Sequence, residues 1–274
     1  MPLILLLFFL FGCSKAPSHF QGVAHTHSYH IQVGNPLTNY GRKDIENIIS
    51  KTFEEVDALY NHWNPYSLLS TNPDAPKLKA ILTLAHSFQV LTDGRYNPTL
   101  GAPIKTFKTK GVLPKESSAP SYDLDGMLKG YVVDLLIEKL TQQRFCQNLY
   151  VEWGGEIRVI GKHPSGRKWH VLVDKEIVTL EDQAIATSGA QEQLWDIDGS
   201  TYTHIMNPLT SKMLKVEEGR VSFVTVKAPT CSLADALATA CMTCETIEEA
   251  SKFAKQMKEK YPVEFWIGIW HIKP

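Results

Sequence analysis

The sequence predicts an α+β fold: a single domain of mixed helices and sheet, preceded by a lipoprotein-type signal segment. Three observations lead there. The chain has 274 residues, 43% of them hydrophobic, enough for one large core without a disulfide scaffold. Helical and strand-like runs mix without a regular βα period, which argues against a barrel or a doubly wound sheet. No repeat or long low-complexity tract interrupts them. The 28 Lys and Arg balance 29 Asp and Glu, so charge gives no reason to expect a nucleic-acid partner.

Taken in order, residues 1–12 read MPLILLLFFLFG, an apolar run too short to span a bilayer but suited to the core of a signal peptide. Cys13 follows at once, ahead of polar SKAPSH, as in a lipoprotein cut before a cysteine that then carries lipid. We therefore expect residues 13–24 to be lipidated Cys13 and a tether, and residues 25–274 to be the folded domain. Such an anchor holds a domain at a membrane surface, and the location we expect is the periplasmic face of the inner membrane. HSYHIQV (27–33) alternates like a strand. Ile45, Ile48, Ile49, Phe53, Val56 and Leu59 mark one face of a helix over 42–61. NPYSLLSTNPDAP breaks the pattern, a second helix is expected over 77–92, and DGRYNPTLG reads as a turn-rich loop.

A further loop is expected around 105–121. YVVDLLIEKLTQQ then reads as a helix, NLYVEWGGEIRVIG as strand, glycine turn and strand, and KWHVLVD as another strand. Within 183–206, IATSG and TYTHIM are short strand-like runs around a turn. VSFVTVK is a β-branched strand, SLADALATACMTC and ASKFAKQMKEKY are helical, and FWIGIW is an apolar closing strand. Cys146, Cys231, Cys241 and Cys244 are expected as buried free thiols, with disulfide pairing the alternative in an exported chain.

Several stretches could carry chemistry. In SLADALATA, Asp235 and Thr239 stand four apart on one helix face, where a carboxylate and a hydroxyl can hold a hard cation. Ser232 precedes Asp235 by three, so a capping box explains the same aspartate. In DLDGMLKGYVVD, Gly126 and Gly130 flank Lys129. A phosphate-binding helix start and a plain turn with an exposed lysine are both open there. Gly154 and Gly155 permit close backbone approach or a simple hairpin turn. Thr187, Ser188 and Gly189 offer two hydroxyls beside a glycine, again with a turn as the alternative. His204, in YTHIMNP, is either a proton-transferring or a hydrogen-bonded structural histidine.

Taken together, these pieces resemble the ApbE family of lipoproteins, the FAD:protein FMN transferases. DLDGMLKGYVVD is similar to the family's Asp-Leu-Gly-Gly-Ile-Ala-Lys-Gly-Tyr-x-x-Asp segment, and VEWGGEI, ATSG, YTHIMNPLT, and SFVTVKAP with ADALATA follow in family order. The resemblance implies FAD as substrate and Mg²⁺ at its pyrophosphate. Asp235 and Thr239, with a backbone carbonyl near Leu128, would be metal ligands. Lys129 would orient or neutralise phosphates, and Gly154, Gly155, Thr187, Ser188, Gly189 and Asn97 would line the nucleotide. His204 would be base or proton relay.

The implied reaction moves FMN to a Ser or Thr hydroxyl of an acceptor and releases AMP. Acceptors would be subunits of a Na⁺-translocating NADH:quinone reductase or a related membrane electron-transfer complex. Water as nucleophile would make the same site an FAD pyrophosphate hydrolase; without turnover the chain would be a flavin-binding lipoprotein. Five departures from the family pattern stand out: AHTH (24–27) in place of Met-Gly-Thr, Asp125 for a glycine, Asn97 and Asn207 for aspartates, and Ser211 for a glycine.

Overall fold

The computed structural model describes residues 16–113, 121–191 and 193–272. The expected signal segment 1–12 and Cys13 lie outside these residues. The expected tether does not extend to residue 24. Ser18–Ala24 is instead strand β1, paired antiparallel along its whole length with β2 (His27–Val33). Phe20 anchors β1 in the core, an apolar contact that a solvated tether would forgo. His25 and Thr26 form the two-residue turn between the strands, both in the left-handed region at φ 48° and 71°, as a tight hairpin demands.

Helix α1 (Asn39–Tyr60) buries Ile45, Ile49, Phe53, Val56 and Tyr60, and the Thr38 hydroxyl caps it by accepting from Gly41 N. The short α2 (Leu68–Thr71) and a 3₁₀ turn, Pro76–Leu78, lead into α3 (Lys79–Leu91). The expected loop over 105–121 begins as a helix, α4 (Gly101–Lys110). Its apolar face is short, but Phe107 is fully buried against Met206 and Met213, and Gly111 ends it in a left-handed turn.

Helix α5 (Asp125–Thr141) leads to β3 (Leu149–Trp153) and β4 (Glu156–Ile160). The hairpin β5 (Trp169–Val173) and β6 (Glu176–Leu180) precedes β7 (Ala184–Gly189). A small sheet of β8 (Leu194–Ile197), β9 (Ser200–Asn207) and β10 (Lys212–Lys215) comes next. Then come β11 (Val221–Ala228), α6 (Cys231–Met242), α7 (Ile247–Lys260) and β12 (Glu264–Ile269). The main sheet has seven strands in the order β1-β2-β3-β4-β7-β11-β12, and each of its neighbours pairs antiparallel.

The two faces of β4 show how the sheet is covered. Ile157 and Val159 join Trp169, Val178 and Leu180 in the cluster beneath the β5–β6 hairpin. Glu156 and Arg158, one residue out of step, point to the opposite face and reach Lys129 and Asp134 of α5. Helices α5 and α6 pack against each other on that face. The four cysteines beyond Cys13 are buried free thiols.

Candidate functional site

The site forms where the first turns of α5 meet α6. Two glycines make this approach necessary. A Cβ on Gly130 would lie 2.3 Å from the Cys231 carbonyl oxygen, and one on Gly126 would lie 2.8 Å from Thr239 Cγ2. Gly130 N donates to Asp235 Oδ2 at 3.0 Å, and Thr239 Oγ1 shares a 3.1 Å hydrogen bond with Ser188 Oγ. Asp235 and Thr239 therefore present one helix face to the α5 start. Leu128 lies in the same turn with its side chain in the core, so only its backbone can serve the site.

The capping-box reading of Asp235 is overturned. Thr230 is the N-cap of α6, its side chain accepting from Leu233 N. Ser232 Oγ donates instead to Asp134 Oδ2 at 2.7 Å. Asp235 is left as a buried carboxylate, pushed up to about 6 by burial, with Lys129 and the Gly130 N–H opposing that rise.

Lys129 is not an exposed turn lysine. Its Nζ lies 2.8 Å from Glu156 Oε2 and donates to Gly154 O at 3.1 Å. Gly154 and Gly155 turn the β3–β4 hairpin at φ 61° and 97°, and this turn brings the Gly154 carbonyl onto the lysine. Glu156 is 1% exposed and pushed up to about 8, burial outweighing the attraction of Lys129. No expectation named Glu156. Its signal was the alternation of EIRVI, which sets Glu156 on the face opposite Ile157 and Val159.

The ATSG stretch is a strand, not a turn. Alternation divides its residues: Ser188 faces Thr239, whereas Thr187 bonds its cross-strand neighbour Thr225 at 2.9 Å. Gly189 pairs with Phe223 within the sheet, with open space where a Cβ would stand. Asn97 spends its side-chain oxygen on Thr99 N and Oγ1, at 2.9 and 2.8 Å, in a local turn. Next to it, Pro98 O accepts from Asp123 N at 2.8 Å, so this loop positions Asp123, two residues before α5.

His204, on β9, is not an unshifted histidine. Burial, then Lys108, pushes it down to about 4, against a backbone hydrogen bond at Gln193. Its imidazole is neutral at neutral pH, with a buried Nδ1 that makes no hydrogen bond among the described residues. Tyr96 was also missed. Its hydroxyl is buried and unpaired in the same sense, and burial followed by Asp123, Asp235 and Asp125 pushes it well up.

The residues present fit a hard cation. Asp235, Thr239 and the Leu128 backbone are oxygen donors of the kind Mg²⁺ prefers, and Asp235 is a buried carboxylate whose charge a cation there would offset. A groove of about 900 Å³ between β1, β2 and α1 includes none of these groups.

Fold and site define an α+β protein in which two packed helices set a buried carboxylate and hydroxyl against glycine turns and a lysine. The ApbE family model matches residues 113–265. The FAD:protein FMN transferase of Chlamydia trachomatis serovar D is 38% identical, with 93% of each chain covered. The Chlamydia pneumoniae protein of the same name is 34% identical over the same shares. Among solved structures, the apo form of the Pseudomonas stutzeri flavinyl transferase ApbE overlays with a TM-score of 0.78 at 18% identity, covering 94% of this chain and 92% of that one. The Thermotoga maritima ApbE protein gives 0.77 at 21%, covering 93% and 94%. The chain belongs to the ApbE family.

Proposed function

We propose that this chain is an FAD:protein FMN transferase that moves FMN from FAD to a Ser or Thr hydroxyl of an acceptor protein through a phosphoester bond, releasing AMP. One observation carries the reading: Asp235 and Thr239 face the glycine-lined start of α5 with Lys129 in the same turn, in a chain 38% identical to a protein of that activity. Asp235, Thr239 and the Leu128 carbonyl would hold Mg²⁺, which when bound offsets charge on pyrophosphate oxygens.

The chain's own groups do the rest. Lys129, positioned by Glu156 and the Gly154 carbonyl, turns its charge toward an incoming phosphate. Gly154 and Gly155 let backbone approach the nucleotide, and Ser188 orients the Thr239 hydroxyl. His204, neutral at working pH, receives the proton of the acceptor hydroxyl. Acceptors are subunits of a Na⁺-translocating NADH:quinone reductase or a related membrane electron-transfer complex. Lipid on Cys13 keeps the enzyme at the periplasmic face of the inner membrane, beside them.

The test incubates the full chain with FAD, Mg²⁺ and an acceptor fragment carrying an Asp-Gly-Ala-Thr-like motif, following acceptor mass and AMP together. One FMN gained per AMP released is expected, with Asp235→Ala slowing the reaction by about 100-fold or more. AMP with free FMN and unlabelled acceptor would indicate hydrolysis. Intact bound FAD would indicate a flavin carrier.

A further inference from the structure

We propose that His62, Asp123 and Asp125 form a separate cation site, which takes a borderline divalent ion such as Mn²⁺, Zn²⁺ or Co²⁺ through one imidazole nitrogen and two carboxylate oxygens. The donor atoms all lie within 4.8 Å of one another. His62 Nδ1 is 3.6 Å from Asp125 Oδ1, and Nε2 is 3.9 Å from Asp123 Oδ2. Both separations are too long for hydrogen bonds.

The imidazole is the decisive group. His62 is 7% exposed, and both of its buried ring nitrogens lack a hydrogen-bond partner among the described residues. The ring lies between two carboxylates and is hydrogen-bonded to neither, so one of its nitrogens is available as a ligand beside two carboxylate oxygens. Each carboxylate is also held by its other oxygen. Asp123 Oδ1 accepts from Asp125 N at 2.8 Å, and Asp125 Oδ2 accepts from Trp63 Nε1 at 3.1 Å. This arrangement fixes the ligands from outside and leaves Asp123 Oδ2 and Asp125 Oδ1 toward the histidine.

Donors about 2.1 Å from a shared ion stand roughly 3–4 Å apart, so a small turn of the Asp125 carboxylate, 43% exposed, closes the set. One nitrogen and two oxygens favour a borderline metal over Mg²⁺. The Asp235–Thr239 face offers oxygen alone, so the two sites are chemically distinct. Both sets border the first turn of α5, and metal uptake can be read without flavin.

The test strips the tag-free full chain with chelator and titrates it with Co²⁺ alone, without flavin. Visible d–d absorption is expected, together with one tightly bound ion. His62→Gln and Asp125→Asn should each weaken that uptake by about tenfold or more, with unchanged far-UV circular dichroism, whereas Asp235→Asn should keep it. Asp125→Asn changes a partly exposed side chain, so a folding failure of His62→Gln would leave the question answerable. No Co²⁺ absorption in the unaltered chain, or uptake lost in Asp235→Asn and kept in folded Asp125→Asn, would overturn the proposal.

Discussion

At the scale of single residues, Asp134 connects the most structure. Its Oδ1 accepts from Cys231 N at 2.9 Å and Arg158 Nη1 at 2.7 Å; its Oδ2 accepts from Ser232 N at 2.9 Å and Ser232 Oγ at 2.7 Å. One carboxylate thus occupies the positive end of α6 and holds β4 through Arg158. Asp134→Ala is expected to destabilise the chain by about 3 kcal/mol, read by chemical denaturation, because it strands a guanidinium and two backbone donors. Asp134→Asn should cost less, since its amide oxygen still accepts. The sequence shows only an aspartate within YVVDLL. Its partner Ser232 is 98 residues away, and local patterning carries no such information.

At the scale of elements, the α5–α6 contact and the β1–β2 hairpin make opposite predictions. Gly130→Ala puts a methyl group against the Cys231 carbonyl, backbone that cannot swing aside. It should lower stability by about 2 kcal/mol and weaken flavin binding, because the helices must separate. Thr26 sits at φ 71°, a region costly for a β-branched residue. Thr26→Gly should raise stability by about 1 kcal/mol, measured by thermal melting. Elements with long apolar periodicity, α1, α5 and α7 among them, were legible. Helix α4 and the strands β6, β8 and β10 were not, because each is short and takes its stability from tertiary partners, as Phe107 does from Met206 and Met213.

At the scale of the whole molecule, the buried carboxylates link stability to pH. Burial first raises Glu156 to about 8 and Asp235 to about 6, above ordinary values of 4.5 and 3.8. Between about pH 4 and 8 the native chain therefore keeps protons that the unfolded chain has released. Their contribution is full at low pH and declines as pH rises through the folded values. In chelator, we expect a fall on the order of a few kcal/mol from these groups between about pH 5 and 8. Glu156→Gln should flatten the upper part of the melting-temperature profile. Mg²⁺ should raise the melting point most at the alkaline end, where Asp235 ionises, and a profile unchanged by both would refute this account.

The sequence by itself determined the α+β class, the main helices and strands, and the ordered segments from DLDGMLKGYVVD to ADALATA that place the chain in its family. Those are local signals: apolar spacing, glycine turns and short motifs in order. The tertiary structure alone decided which groups meet. It set Glu156 against Lys129, freed Asp235 from capping, split Thr187 from Ser188 across a strand, and brought His62 to Asp123 and Asp125. Each of these outcomes depends on antiparallel pairing and helix docking between distant segments, and burial at those junctions sets the charge states on which the chemistry rests.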